Sequence, residues 1–239
     1  MKDAKIYIAI PVHNRLEIAK LCIPTVASGI SISDRLAIYN DGSDEEFLPH
    51  FGETHRRDYR FPIGIEAQRR MHIADFMERA ERSEFTHLYL TDSDALHDPD
   101  WRLTLLQAQA KHGHAPICGY NTEAHERLCG NTIADGGDVL WRRVAPGISY
   151  LLTLDHVKRI WPHAAKMRAF DWEIPALLGN RFAVMKESVV DHIGLGGMHH
   201  PVGVGLDGGD RALNPTKWLA EKRAEVVSQL KSLCPQVSL

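Results

Sequence analysis

The stretch Ile6-Tyr7-Ile8-Ala9-Ile10-Pro11-Val12-His13-Asn14-Arg15 indicates how this chain folds. Its first five residues form a continuous apolar run, which is typical of a parallel β-strand that is covered on both faces. Pro11 is expected to end the strand, and Asn14 is expected to cap a helix that begins at Arg15. A buried strand that leads through a short polar loop into a helix is the repeating unit of an α/β sheet.

The same alternation continues along the first half of the chain. The predicted strands are 36–39, 59–61, 86–90 and 116–120, and the predicted helices are 65–82 and 99–111. This order predicts an α/β fold: a single Rossmann-like domain with a mostly parallel, doubly wound sheet and helices on both faces.

The second half of the chain is less regular. A polar loop is predicted over 121–138, extended segments over 138–144, 147–152, 182–185 and 188–190, and helices over 154–161 and 171–178. Residues 195–211 are rich in glycine and are expected to form a mobile loop. The final amphipathic helix, 215–233, could pack on the core or pair with another subunit, so the oligomeric state stays open.

Composition excludes several classes of protein. The chain has 239 residues, of which 44% are apolar and 25% are charged, as in ordinary globular domains. The 28 basic and 31 acidic side chains leave a formal net charge of −3, which argues against a nucleic-acid partner. Neither a transmembrane stretch nor a signal sequence is apparent, so a cytoplasmic location is expected. Four scattered cysteines predict reduced thiols.

Polar loops follow three of the predicted strands, at residues 11–15, 40–44 and 91–94. In open parallel sheets, ligands bind beyond the carboxyl ends of the strands, so these loops are expected to meet in one crevice. Asp92 and Asp94 could share a divalent cation such as Mn²⁺ or Mg²⁺, which prefers oxygen ligands. Each loop taken alone also fits an ordinary turn or helix cap.

In order and spacing, these motifs resemble the GT-A-type glycosyltransferases, in particular the family-two group of inverting, nucleotide-sugar-dependent enzymes. The matching segments are Ile8–Arg15, Tyr39–Asp44 and Leu88–Asp94, and the resemblance covers about residues 5–195. It implies one domain over 1–239. Residues 1–120 would bind the nucleotide-sugar, 121–195 would hold the acceptor and catalytic groups, and 196–239 would comprise the glycine-rich loop and last helix.

The resemblance also implies roles for single residues. It places Pro11, Asn14, Arg15, Asp41, Arg69 and Asp92 around the nucleotide-sugar, with Asp41 on the base or ribose, and it makes Asp94 the principal metal ligand. In related enzymes a histidine near His192 can add a ligand, since a neutral imidazole binds Mn²⁺. His192 fits equally well a buried histidine with satisfied hydrogen bonds. His199 and His200 are alternatives for the ligand role, and each also fits an ordinary loop residue.

Phe170-Asp171-Trp172-Glu173-Ile174 resembles the acidic segment of the same family, in which Asp171 aligns with the catalytic base. An inverting transfer needs a carboxylate that takes the proton of the attacking hydroxyl, which typically contributes about 10²–10⁴-fold in rate. Asp171 and Glu173 could instead only favour the start of a helix. Three departures from the family pattern are Gln68, Arg70 and Phe170. Trp141, Tyr150 and Trp172 fit either sugar stacking or a core position, with the core favoured for Trp141 and the choice open for Trp172.

The leading hypothesis is therefore a metal-dependent, inverting glycosyltransferase. It would move a sugar from a nucleotide-diphospho-sugar to a hydroxyl of a glycan, small-molecule or protein acceptor. A sugar nucleotidyltransferase ranks lower, because residues 11–15 contain no glycine to hold a triphosphate. A nucleotide-sugar-binding or scaffold protein with a degenerate site is the non-enzymatic alternative. A dinucleotide-dependent dehydrogenase is disfavoured, because no GxGxxG follows the first strand.

Overall fold

The computed structural model describes residues 4–43, 55–128, 130–193 and 212–233. The strands are β1 (Ile6–Val12), β2 (Arg35–Asn40), β3 (His55–Asp58), β4 (His87–Thr91), β5 (Ala95–His97), β6 (Ile117–Cys118), β7 (Thr132–Asp135), β8 (Val139–Arg142), β9 (Ser149–Thr153), β10 (Phe182–Met185) and β11 (Val190–His192). The helices are α1 (Leu16–Ser28), α2 (Ile65–Glu81), α3 (Trp101–Lys111), α4 (Glu123–Glu126), α5 (Leu154–Ile160), α6 (Phe170–Leu177) and α7 (Lys217–Leu233), with a 3₁₀ helix at Trp161–Lys166.

The protein is a mixed α/β structure. Among the described residues, nine strands form one sheet in the order β3-β2-β1-β4-β9-β6-β10-β8-β7. The neighbours from β3 to β4 are parallel, as is the pair β6–β10, whereas β9 is antiparallel to both of its neighbours and β8 to both of its own. The prediction of a mostly parallel sheet is therefore wrong for the second half. There, short links such as 136–138 between β7 and β8 are too short for a parallel crossover.

The strand β1 is the centre of the parallel part. All seven of its residues are buried, as the continuous apolar run predicted, and it pairs with β2 on one side and β4 on the other. The strand does not end at Pro11, because Pro11 pairs opposite Tyr39 and the N–H of Asp41 donates to the carbonyl of Val12 at 2.7 Å. The carboxyl ends of β1, β2 and β4 consequently lie side by side.

Most predicted boundaries agree with the structure to within about two residues, but two predictions fail near the edges of the sheet. The strand expected at 59–61 lies at His55–Asp58, where, among the described strands, it pairs with β2 alone. The loop expected over 121–138 contains α4 and β7, and all four β7 residues are exposed. Edge strands are held by backbone bonds and need no apolar pattern, so their signal in the sequence is weak.

A second, two-stranded sheet was not predicted. It pairs β5 with β11 in antiparallel register, His192 lying opposite Ala95, so the strand expected at 188–190 is displaced to Val190–His192. The helix α7 packs on this small sheet and on α1. The shared cluster of buried side chains is Ile18, Cys22, Leu96, Ile193, Leu219, Val226 and Leu230. Packing on the rest of the chain, one of the two options for this helix, is therefore confirmed.

Two further findings concern the chain as a whole. No helix of the described part of the chain is both long and apolar enough to cross a membrane. The glycine-rich segment expected to be a loop at 195–211 lies outside the described residues, together with His199 and His200.

Candidate functional site

The three loops predicted to converge do contact one another at the carboxyl ends of β1, β2 and β4. The backbone N–H of Asn14 donates to the Ser43 hydroxyl at 2.8 Å. His13 Nδ1 lies 2.8 Å from the Asp41 carbonyl oxygen. Arg15 forms an ion pair with Asp94, 79 residues further along the chain. The parallel arrangement of these strands thus brings distant polar residues to one edge of the sheet.

The turn between β1 and α1 has an uncommon backbone. Asn14 and Arg15 both have positive φ values, 53° and 61°, and the N-cap position of the helix that follows is Arg15, whose own side chain makes no capping hydrogen bond. The N-cap position therefore lies one residue later than the Asn14 that the sequence predicted. Consecutive left-handed residues other than glycine are sparsely populated and tend to occur where the surrounding structure requires them. Here the turn carries the guanidinium of Arg15 to the carboxylate of Asp94, so Arg15 is not a freely solvated side chain.

Asp94 is a buried acidic group at this edge, with 7% of its surface exposed. Its Oδ2 atom contacts the Arg15 guanidinium and lies 3.2 Å from His192 Nε2. Burial alone would raise the pKa of Asp94, but His192 and Arg15 outweigh it and hold that pKa well below its ordinary value. Asp94 is therefore ionised. The structure brings together Asp94 and His192, the two residues that the sequence suggested as metal ligands.

Asp92 pairs with a different cation. The Arg69 guanidinium, which is almost completely buried, binds the Asp92 carboxylate and donates to the carbonyl oxygens of Thr91 and Gly147, each at 3.3 Å. Burial raises the pKa of Asp92, and the opposing effect of Arg69 only partly offsets it. Arg69 thereby ties α2 to the end of β4 and to the segment before β9.

A cleft of about 330 Å³ opens beside this pair. It is lined by Ile65, Glu66, Arg69, Asp92, Gly147, Ile148, Arg168, Ala169, Phe170, Asp171 and Trp172. Asp92 and Asp171, which are far apart in sequence, therefore lie on one cavity. A larger and more open cavity of about 800 Å³ lies at the opposite ends of the strands, beside Lys5 and Arg35, and its described lining holds none of the predicted site residues.

The two acids at the start of α6 have different surroundings. Glu173 Oε1 accepts the backbone N–H groups of Arg168 and Ala169, both at 3.1 Å, so Glu173 stabilises the start of the helix. The Asp171 carboxylate instead lies directly against Gly147, in the cleft. The alternative role as a helix-start residue therefore describes Glu173, while Asp171 lines the cavity.

Asp41 has a structural task that the sequence did not indicate. Its two carboxylate oxygens accept the backbone N–H groups of Ile63 (2.6 Å) and Gly64 (2.9 Å), which fixes the approach to α2. Gly42 is needed beside it, because its φ is +61° and a Cβ there would lie 2.7 Å from the Pro62 nitrogen. Contact between Asp41 and a nucleotide stays a prediction, as does the role of the buried Pro11.

The aromatic candidates divide clearly. Trp172 is 56% exposed and lines the cleft. Tyr150 is buried and donates its hydroxyl to the Ala145 carbonyl, while Trp141 packs between His112 and the guanidinium of Arg181. The core interpretation therefore holds for Trp141 and Tyr150.

Sequence reasoning missed several residues at this edge. Glu66 and Arg168 line the cleft, and Arg168 could have been suspected from its position just before the acidic segment. Arg223 and Asp191 form an ion pair of 2.8 Å beside His192. No motif marks Arg223, because the contact depends on how α7 packs.

Two residues at this edge could hold the divalent cation that the resemblance implies. Within the described ranges, no group of three or more His, Cys, Asp or Glu side chains is close enough to hold a metal. Asp94 and His192 supply two suitable donors, a buried ionised carboxylate and an imidazole nitrogen facing the same oxygen. A carboxylate and an imidazole are donors that suit Mn²⁺, whereas Mg²⁺ prefers oxygen ligands throughout. The Arg15 guanidinium contacts the same oxygen of Asp94.

Comparisons with known proteins add little. No protein-family model and no curated protein matches the chain. Among solved structures, the protein A197 from STIV matches 78% of this chain and 83% of its own, with 12% sequence identity and a TM-score of 0.46. At that identity and score the likeness assigns neither a fold family nor a function.

Proposed function

We propose that this chain is a GT-A-like, metal-dependent glycosyltransferase that moves a sugar from a nucleotide-diphospho-sugar to an acceptor hydroxyl with inversion. The observation that carries the proposal is the cleft, in which the Arg69–Asp92 pair and the Asp171 carboxylate face the same cavity. An inverting transfer needs both features, a binding edge for the leaving diphosphate and a base for the acceptor.

The donor would bind across the three loops. Arg15 and Arg69 each bind a carboxylate at this edge, and guanidinium groups form equally good two-pronged bonds with phosphate oxygens. A diphosphate could therefore take over one arginine from its carboxylate. Asn14 and Asp41 lie on the neighbouring loops, where the nucleoside would extend.

A divalent cation would be held by Asp94 and His192, and when bound it would neutralise charge that develops on the departing diphosphate. The low pKa of Asp94 keeps the carboxylate available as a ligand at neutral pH. Arg69 lines the cleft and is buried and fixed by three acceptors, so it would need little reorganisation during the reaction.

Asp171 would act on the acceptor. Its carboxylate takes the hydroxyl proton while the acceptor oxygen attacks the anomeric carbon. The bond from that carbon to the diphosphate breaks, and the nucleoside diphosphate leaves with the electron pair. The exposed ring of Trp172 stands next to Asp171 on the cleft and offers a face on which an acceptor or donor sugar could stack.

A thermal-shift panel tests the donor site first. UDP, GDP, dTDP and CMP would each be added with Mn²⁺, Mg²⁺ or EDTA. A ligand at 100 times its dissociation constant should add about 2.7 kcal/mol to the free energy of unfolding. We expect one nucleotide to stabilise the chain in a metal-dependent way. No response to any nucleotide would refute the donor site.

Variants then separate binding from chemistry. Asp94→Ala should abolish the metal dependence of nucleotide binding. Asp171→Asn should keep nucleotide binding but lower sugar transfer by about 10²–10⁴-fold, the range for a general base. Asp155→Asn is the matched control, since Asp155 is an acidic residue whose side chain is 90% exposed on α5. Unchanged transfer in both site variants would show that the assignment is wrong.

The alternative of a nucleotide-sugar-binding protein with a degenerate site has one observation in its favour. Both acidic residues of the 91–94 loop are already paired with arginines, Asp92 with Arg69 and Asp94 with Arg15. Tight binding of a nucleotide-sugar, with neither transfer nor hydrolysis over a wide range of acceptors, would favour this alternative.

A further inference from the structure

We infer that Arg223, on the helix α7, is a positioning residue that holds His192 in place as a metal ligand. The inference rests on the proposed function, because it concerns the cation site of Asp94 and His192. Arg223 Nη1 donates to Asp191 Oδ2 at 2.8 Å and to the His192 carbonyl oxygen at 2.9 Å. The Arg223 guanidinium thus binds both the Asp191 side chain and the backbone of His192.

His192 is secured from one side by the small sheet. The strand β11 has three residues and pairs with β5, which begins directly after Asp94. The N–H of Ile193 also donates to the Asp94 carbonyl at 3.0 Å. These hydrogen bonds hold β11 against β5, and so they help to fix the distance of 3.2 Å between His192 Nε2 and Asp94 Oδ2.

Arg223 secures the strand from the other side. The Asp191 side chain is 3% exposed and that of Arg223 is 17% exposed, so the pair is shielded from water. Apolar residues of α7, among them Leu219 and Val226, pack into the cluster that also contains Ile193. A charge pair within such packing fixes position closely, because separating the partners leaves a buried carboxylate unpaired.

The last helix is therefore part of the candidate cation site, although it supplies no ligand. Partners that orient metal ligands typically change metal affinity by about 10–100-fold when they are removed. Loss of Arg223 would free β11 to shift relative to β5, and the imidazole would no longer face Asp94 in a fixed geometry. The expected consequence is weaker metal binding in a chain that still folds.

A titration with Mn²⁺ alone tests the positioning role of Arg223. The electron paramagnetic resonance signal of the free ion measures how much Mn²⁺ remains unbound. Arg223→Ala should raise the Mn²⁺ dissociation constant by about tenfold, the lower end of the range for such partners. Arg223→Lys, which keeps a cation beside Asp191, should restore part of the affinity. Lys222→Ala is the matched control, because Lys222 is a neighbouring cation of α7 that pairs with Glu225 at 2.8 Å. Its Mn²⁺ affinity should equal that of the wild type.

A second pair of variants shows whether Arg223 acts through the imidazole. In a His192→Ala background, the change Arg223→Ala should weaken Mn²⁺ binding no further, since double-variant cycles isolate the coupling of two residues. Equal loss in both backgrounds, or wild-type affinity in Arg223→Ala, would overturn the inference while leaving the metal site standing. If the wild type binds no Mn²⁺, the metal proposal itself fails, and this inference with it. Should Arg223→Ala not fold, as circular dichroism would show, Arg223→Lys decides by the same comparison.

Discussion

Replacing Gly147 with alanine would test the base assignment without touching Asp171 itself. A Cβ atom at Gly147 would overlap Asp171 Oδ1 and lie 3.2 Å from Asp171 Cγ. Gly147 is not among the glycines with positive φ, so alanine meets no backbone penalty there. What must move is the end of a flexible side chain, and that end is the proposed base.

The size of the effect follows from this geometry. The carboxylate has to retreat by about 1 Å to restore an ordinary van der Waals separation, and a displacement of that size can cost about 100-fold in rate. The turnover number of Gly147→Ala should therefore fall by about 100-fold. Its stability should change by less than about 1 kcal/mol, because the gain of a Gly→Ala change offsets the strain of the moved side chain.

The assay is steady-state release of the nucleoside diphosphate from the donor that the panel identifies, with a thermal melt of each variant. Asp171→Asn and the double variant complete the cycle. If Gly147→Ala acts through Asp171, the double variant should be no slower than Asp171→Asn alone. Turnover within threefold of the wild type, or a further large loss in the double variant, would refute the reasoning.

Three other changes have expected outcomes. Arg102→Ala should lower the free energy of unfolding by about 3–5 kcal/mol in a urea titration, because it removes the counter-charge of the buried Asp34 carboxylate; a loss below about 1 kcal/mol would contradict this. Burial lowers the pKa of His97 to about 3, whereas a histidine in the unfolded chain titrates near pH 6.5. Below about pH 6.5 the unfolded chain therefore binds a proton that the folded chain does not, and the free energy of unfolding should fall by about 1.4 kcal/mol per pH unit. His97→Gln should flatten that slope between pH 7 and pH 5. Trp172→Ala should raise the acceptor KM by about tenfold with little change in thermal stability, because the side chain is 56% exposed; an unchanged KM would exclude stacking.

Local patterns were sufficient for the parallel core of the first half, the strands β1, β2 and β4. The buried run of β1 and the alternation after it predicted parallel neighbours, and β2, β1 and β4 are parallel. The convergence of the loops 11–15, 40–44 and 91–94 followed from that arrangement. Such predictions succeed because a strand buried on both faces shows as a continuous apolar run, whereas an amphipathic helix shows as a repeat of about 3.6 residues.

The second half of the fold was less predictable. The antiparallel position of β9 between β4 and β6, and the small sheet of β5 and β11, have no local signature. Strand pairing depends on which surfaces are left to cover once other elements have packed, and a three-residue strand has too few side chains to show a period.

By itself, the sequence determined that this chain is an α/β protein and which acidic residues and histidine are candidates for the site. Both follow from the order and spacing of apolar and polar residues along neighbouring positions of the chain. Only the tertiary structure decided which of them meet. Arg15 reaches Asp94 across 79 positions, Arg69 reaches Asp92 across 23, and Arg223 reaches His192 across 31. A charged side chain can pair with any opposite charge of the chain, so its partner is chosen by the packing of strands and helices and not by its neighbours in sequence.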